Sequence, residues 1–232
     1  VRVIGFQNAD AFLATLAHEL RNPLNAIVAA NRLQQSIGSQ DTENVRLRGV
    51  IQRQSRQLAR IIDDLLDASR FTRGDNPMHM THLDLREVVE RACSSQRVVL
   101  RGRGQRLKLE LPDEPVHVLG DELRLEQVVT NLLANASKYS STSSIISLSL
   151  RHAQEGETDR AIIDLRDHGI GIPEDMLEAV FEMFVQVDRS LDRTLGGLGL
   201  GLTVVKNVIQ RHGGRVWAHS EGASKGSRFA VE

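Results

Sequence analysis

His18 stands in the run Ala17-His18-Glu19-Leu20-Arg21-Asn22-Pro23. An imidazole beside a carboxylate is an arrangement for handling a proton or a phosphoryl group at a nitrogen nucleophile. Glu19 can accept the imidazole proton and leave a ring nitrogen free to attack. On an ideal helix each residue turns by about 100°, so His18 lies roughly 160° from Leu16 and Leu20, away from the apolar stripe. Asn22 is one turn on, on the same face, where it can orient a water or a phosphoryl oxygen. Pro23 lacks the amide that would bond the Glu19 carbonyl, so the helix bends beside His18. An exposed histidine is ordinarily inert, and these neighbours are what set this one apart. A zinc reading fails, because His-Glu-x-x-His needs a second histidine where Asn22 stands.

A second group of chemically capable residues lies far downstream. Asp167-His168-Gly169-Ile170-Gly171-Ile172-Pro173 follows a predicted strand, and Gly196-Gly197-Leu198-Gly199-Leu200-Gly201-Leu202 opens a predicted helix. Glycines let backbone amides approach a ligand closely, and a helix N-terminus attracts phosphate. Either loop alone reads equally well as a turn needing positive φ. Neither is a dinucleotide fingerprint, since the third glycine positions hold Glu174 and Val204, and no Walker A sequence exists. Asn131 and Asn135, at i and i+4 of a predicted helix, share a face. Their amide oxygens suit a hard cation such as Mg²⁺. Lys138 adds positive charge for phosphates, and Tyr139 a flat face for a base. Taken alone, the two asparagines read as solvated positions on an amphipathic helix.

Two different layouts must position these groups. Residues 8–38 read as one long helix, with Phe12, Leu16, Leu20, Leu24 and Ile27 at spacings of three and four. Gly38-Ser39-Gln40-Asp41 is a turn, with Asp41 or Thr42 as a cap for a second helix running to about Phe71. Such a hairpin buries its stripe poorly alone, so a second copy is expected to complete a four-helix bundle. Arg73-Gly74-Asp75-Asn76-Pro77 breaks the pattern and marks a domain boundary. Beyond it, helices are expected near 84–101, 121–138 and 200–212. Strands are expected near 106–111, 115–119, 144–151, 160–167, 215–220 and 227–231. That mixture predicts an α/β sandwich with helices on one face of a mixed sheet.

Composition narrows the classes. A chain of 232 residues makes one large or two modest domains, and with 3% aromatics its core rests on Leu, Ile, Val and Ala. The formal net charge of -1 gives no case for nucleic-acid binding, and the basic stretch Arg97 to Lys108 reads as a solvated helix end. The single cysteine, Cys93, excludes an internal disulfide framework, reads as a small buried hydrophobe and fits a reducing, cytoplasmic compartment. No stretch approaches 18 apolar residues, so no membrane segment is expected in this fragment.

Together these pieces resemble the catalytic core of a two-component sensor histidine kinase, over nearly the whole chain from about Ala11. Phe12 to Leu24 resembles the family's H box and Asn131 to Ser140 its N box. Asp167 to Pro173 resembles the G1 box, Phe181-Glu182-Met183-Phe184 the F box, and Gly196 to Leu202 the G2 box. The resemblance implies a dimerisation and histidine-phosphotransfer hairpin at 8–72 and a Bergerat-type ATP-binding domain at 78–232. It implies that His18 accepts the γ-phosphoryl of ATP with Glu19 as base. It implies Mg²⁺ on Asn135 with Asn131 close by, Lys138 on the phosphates, and Tyr139 and Asp167 on the adenine. Gly169 and Gly171 would line the base pocket. Gly197, Gly199, Leu200 and Gly201 would cradle phosphates at the end of a lid spanning about 174–197.

The implied partners are a second copy of the chain and the receiver domain of a response regulator, whose aspartate takes the phosphoryl group. Asn22 matches the family position linked to phosphatase activity toward that regulator. ATP-hydrolysing members of the wider superfamily carry a glutamate where Asn131 stands. Three positions depart from the common pattern. Gln186 falls near a lid arginine, leaving Arg189 or Arg193 for the γ-phosphate; Leu198 replaces a threonine or serine; and His168 replaces an asparagine. A plain ATPase and a dimerising scaffold without turnover are the rival readings.

Overall fold

In this computed structural model the described residues are 20–34, 44–55, 58–59, 62, 77–155, 158–183, 185–187 and 199–232. His18, Glu19, Gly196 to Leu198 and the turn expected at 38–41 lie outside them. The chain divides into two compact units, Val1–Arg73 with Ser190–Leu200, and Gly74–Arg189 with Gly201–Glu232.

In the first unit, residues 20–34 (α1) and 44–55 (α2) are helical, as are the described residues 58–59 and 62. Both fall where hydrophobic periodicity predicts the arms of a hairpin. Asn22 is exposed on α1, whereas Pro23 is buried. Leu24 and Leu33 are half exposed, and on α2 Val45 is two-thirds exposed.

The second unit is a two-layer α/β sandwich. Its elements are β1 (Thr81–Asp84), α3 (Leu85–Gly102), β2 (Arg106–Glu110), β3 (His117–Gly120), α4 (Glu122–Tyr139), β4 (Ile145–Glu155), β5 (Thr158–Arg166), α5 (Gly201–Arg211), β6 (Val216–His219) and β7 (Arg228–Val231). Two short 3₁₀ turns, Glu174–Met176 and Ala179–Phe181, follow β5. The main sheet runs β2-β4-β5-β7-β6, with β2 parallel to β4 and every other pair antiparallel. β1 and β3 form a separate antiparallel pair. β1 is absent from the sequence reading, because four residues with a pairing partner almost forty positions away leave no local periodicity.

Side-chain alternation explains the layering. The registers stack Leu148 on Leu165 and Phe229, and Leu150 on Ile163 and Val231. These side chains are buried, and α3, α4 and α5 cover that face. α4 packs between α3 and α5 and carries the largest share of the helix core through Val128, Val129, Leu132 and Leu133. Cys93, within α3, is fully buried, and burial pushes its thiol up to about 11.

Two aspartates fix where the helices start. Asp84 caps α3, accepting from the Arg86 and Val116 amides at 3.0 Å each. Asp121 caps α4 through the Arg124 amide at 3.2 Å and also accepts from the His79 amide at 2.9 Å. Burial pushes the Asp121 carboxyl up, but those two amides and the Arg124 charge outweigh it and hold it below the usual carboxylate range. The Asp121 amide donates to His212 Nε2 at 2.9 Å, so the ring proton sits on Nδ1 and is given to the Val208 carbonyl at 2.8 Å. That histidine ties the end of α5 to the start of α4. At the other end of α4, buried Gln105 donates to the Ser137 carbonyl at 3.0 Å and accepts from the Ser137 hydroxyl at 2.6 Å. α4 is thus pinned at both ends, which fixes the face that carries Asn131 and Asn135.

Candidate functional site

The site begins at the end of β5. Asp167 is 6% exposed, an expensive place for a carboxylate without partners. Its Oδ1 accepts from the Gly169 amide at 2.8 Å and the Ser227 amide at 3.3 Å, and its Oδ2 from the Ser227 hydroxyl at 2.6 Å. A carboxylate has about four acceptor positions, so one remains for a ligand. The backbone around it is held by a second loop. The Ser220 hydroxyl accepts from the Ile172 amide at 3.0 Å and donates to the Gly226 carbonyl at 2.7 Å. Gly171 has φ +75°, and a Cβ there would stand 1.9 Å from the Gly222 carbonyl oxygen. Gly226 has φ +72°, and a Cβ would stand 2.2 Å from the Asp167 carbonyl oxygen. Both positions therefore demand glycine.

Asp167, Asn135, Tyr139, Gly171, Gln186 and Ser227 line one pocket, with an apolar wall that includes Ile172, Val180, Leu202 and Phe229. Phe181 packs edge-on against Phe229, ring centroids 6.2 Å apart, and so braces that wall. An apolar slot with one buried carboxylate at its floor fits a flat heterocycle that offers an amine hydrogen.

α4 and α5 supply the polar end. Asn131 donates from Nδ2 to the Gly201 carbonyl at 3.3 Å. A Cβ built on Gly201 would lie 3.7 Å from Asn135 Nδ2 and 3.9 Å from its Oδ1, so the Asn135 amide faces the first turn of α5. Orphan amides at a helix start attract anions, and amide oxygens beside them suit a hard cation. Lys138 donates to the Tyr139 hydroxyl at 2.8 Å and lies 4.5 Å from the centre of that ring. Of the glycine-rich run before α5, Gly199 has φ +69° and Leu200 is buried; Gly197 lies outside the described residues. His168 donates from Nδ1 to the Ile145 carbonyl, 3.0 Å away, on the exposed side.

The structure therefore brings Asn135, Tyr139, Asp167 and Gly171 to one pocket, with Gly169 bonded to its floor and Asn131 at the start of α5. Ser227, Gly226 and Ser220 belong to the same site and are missing from the sequence reading. Ser227 meets Asp167 across sixty positions and Ser220 meets Ile172 across forty-eight, and Gly226-Ser227 in sequence reads only as a turn before a strand.

Residues 120–232 match the family described as "Histidine kinase-, DNA gyrase B-, and HSP90-like ATPase", and residues 9–74 match "His Kinase A (phospho-acceptor) domain". The signal transduction histidine-protein kinase BarA of Escherichia coli (strain K12) is 34% identical over 219 residues, 94% of this chain and 24% of BarA. The autoinducer 2 sensor kinase/phosphatase LuxQ of Vibrio vulnificus (strain YJ016) is 34% identical over 223 residues, 94% of this chain and 25% of LuxQ. Full-length ShkA, solved in complex with AMPPNP, superposes with a TM-score of 0.68 at 25% identity, over 94% of this chain and 44% of that one. The chain thus spans about a quarter of the length of the curated relatives BarA and LuxQ.

Proposed function

Because the chain belongs to the two-component sensor histidine kinases and carries their catalytic core, we propose that it phosphorylates itself on His18 from ATP. The phosphoryl group then passes to an aspartate of a response regulator. A His18 ring nitrogen forms a bond to the γ-phosphorus as the bond to the β-bridging oxygen breaks. ADP leaves, and Glu19 takes the imidazole proton. His18 and Glu19 lie outside the described residues, so these two roles rest on the sequence and on the phospho-acceptor match over residues 9–74.

The observation that carries the reading is Asn131. ATP-hydrolysing relatives use a carboxylate at the matching position to activate water. Here an amide donates to the Gly201 carbonyl and cannot deprotonate water. A pocket built for a nucleotide without that base needs another acceptor, and His18 supplies one. In the pocket, Asp167 accepts from the adenine amine, Tyr139 and the apolar wall hold the ring, and Gly199, Leu200 and Gly201 cradle the phosphates, with Gly197 on the same run. Lys138 adds charge once it turns from Tyr139. Asn135, with Asn131 beside it, would hold Mg²⁺, and an amide pair at a helix start fits a cation that keeps several waters. Bound there, Mg²⁺ would neutralise phosphate charge. The chain's own contribution is positioning.

Further assignments go with this one. Residues 8–72 form the dimerisation and phosphotransfer hairpin, residues 78–232 the ATP-binding domain, and two hairpins a four-helix bundle. The exposed Leu24, Leu33 and Val45 support that pairing. The module works in the cytoplasm, where ATP and a receiver domain are available. No described helix is long and apolar enough to cross a membrane. A second activity, dephosphorylation of the regulator, is supported by the exposure of Asn22 and by the kinase/phosphatase description of LuxQ.

The test is incubation with γ-labelled ATP and Mg²⁺. The expected product is acid-labile, base-stable label on the chain, lost in His18→Gln. Acid-stable label, or unchanged label in His18→Gln, overturns the assignment. Asn22→Ala keeps autophosphorylation and loses release of phosphate from the labelled regulator.

A further inference from the structure

α3, α4 and α5 cover one face of the main sheet. The registers of its strands send an unusual set of side chains to the other. Asp164 of β5 holds Arg166 at 3.4 Å and Arg228 of β7 through Nε at 2.6 Å. Glu232, just past β7, holds Arg160 and Arg215 at 2.8 Å each. Lys108 of β2 pairs with Glu110 at 2.7 Å. Arg106 and Arg151, on the same face by register, make no ion pair among the described residues.

The seven cations just named face three carboxylates, with Glu155 a fourth at this face's end by register, on a chain whose formal net charge is -1. The charge is therefore segregated onto this surface. The two central carboxylates are sunk beneath it: the Asp164 and Glu232 side chains are 7% and 5% exposed, whereas Arg166 and Arg215 are 61% and 63% exposed. A partner approaching this face meets guanidinium groups already fixed in place. At its edge Trp217, the only tryptophan, is 36% exposed with the Arg215 guanidinium 5.4 Å from its ring centre.

We propose that this sheet face, opposite the three helices, docks a folded protein partner through an acidic surface, with carboxylates on the arginine layer and Trp217 as the anchor. The composition selects that partner over others. Protein interfaces are enriched in arginine and tryptophan and depleted in lysine, and their hot spots centre on those two residues. Here arginine outnumbers lysine six to one, and its forks match carboxylates in two-point contact. Anionic membranes are held by flexible polybasic segments that need no pinned geometry. Single-stranded nucleic acid needs several stacking rings, and this face has one.

The test uses the whole chain. The probe is a fluorescein-labelled poly-glutamate peptide followed by anisotropy, with Trp217 emission as a second readout. Phosphatidylserine vesicles and duplex DNA are compared at equal charge. The peptide is expected to bind and to shift Trp217 emission. Arg106→Glu with Arg151→Glu, which leaves both buried carboxylates paired, should weaken it about tenfold. Arg97→Glu with Arg101→Glu, the same charge change on the exposed side of α3, should leave it within about twofold. Arg215→Gln serves if the first pair fails to fold, and ATP binding reports folding throughout. A silent Trp217, equal weakening by the α3 pair, or tighter binding to vesicles or DNA than to the peptide would overturn the proposal.

Discussion

Asp167 has three of its acceptor positions filled by its own chain, and under the proposed function this would make it a selective reader. A carboxylate fixed by the Gly169 amide and by both donors of Ser227 has one direction left, and that direction accepts. Adenine offers an amine hydrogen there; guanine would present a carbonyl to an oxygen. In Asp167→Asn an amide nitrogen must face a donor that the carboxylate had satisfied. ATP affinity should fall at least about thirtyfold, near the cost of a buried unsatisfied group, and titration calorimetry would read it. Ser227→Ala removes a donor without leaving a clash. It should lower stability by about 1 kcal/mol and keep ATP affinity within about fivefold, so comparable losses in the two variants would contradict this account. Cys93 gives a contrasting case. Burial pushes its thiol up to about 11, so at pH 8 it is protonated and shielded. Iodoacetamide should leave the native chain unmodified and add one carbamidomethyl group in urea, as read by mass.

The elements that aim these residues are held by their ends. The folded pKa of Asp121 lies below its unfolded value, so its cap contributes stability that is present above the ordinary carboxylate range. That contribution is lost as pH falls through the folded value. Asp84 is shifted the same way: burial pushes it up, but the Arg86 side chain with the Val116 and Arg86 amides outweighs that. Melting temperature should therefore hold at neutral pH and drop below about pH 4. Asp121→Ser keeps a capping oxygen that does not titrate. It should cost no more than about 1 kcal/mol at pH 7 and flatten the acid decline; an unchanged decline would place its cause elsewhere. The G1 turn is held by geometry instead. Gly171→Ala sets a methyl against the Gly222 carbonyl at positive φ and should cost more than about 2 kcal/mol, measured by urea unfolding. What could be read beforehand follows from range. The N box puts two asparagines, a lysine and a tyrosine within nine positions of one helix, so the sequence displays them side by side. Asp167 and its glycines are also contiguous. Ser227 and Ser220 reach the site only because β7 pairs with β5, and no local pattern announces that pairing. β1 escaped for the same reason. The sheet face opposite the helices is likewise legible only once the registers align its arginines across strands.

At the scale of the whole molecule, the nucleotide pocket and the hairpin carry different demands. The pocket closes within Gly74–Arg189 and Gly201–Glu232, and its lining residues all come from that unit. The hairpin leaves apolar side chains unmatched. Leu24 and Val28, one turn apart on α1, are 50% and 40% exposed. Each buried leucine or valine is worth about 1.5–3 kcal/mol relative to leaving it in water, so two copies gain by pairing these arms, and a pair of hairpins makes the expected four-helix bundle. The chain of 25.8 kDa should therefore sediment as a dimer at micromolar concentration. Val28→Asp places a charge where the second copy must pack and should weaken the dimer at least about tenfold. ATP affinity should be unchanged, since no pocket residue lies on α1. Sedimentation velocity with nucleotide titration separates the two properties. A monomeric native chain, or a Val28→Asp dimer of undiminished affinity, would remove this stripe from the interface, and joint loss of ATP binding would mean that the two units do not fold independently.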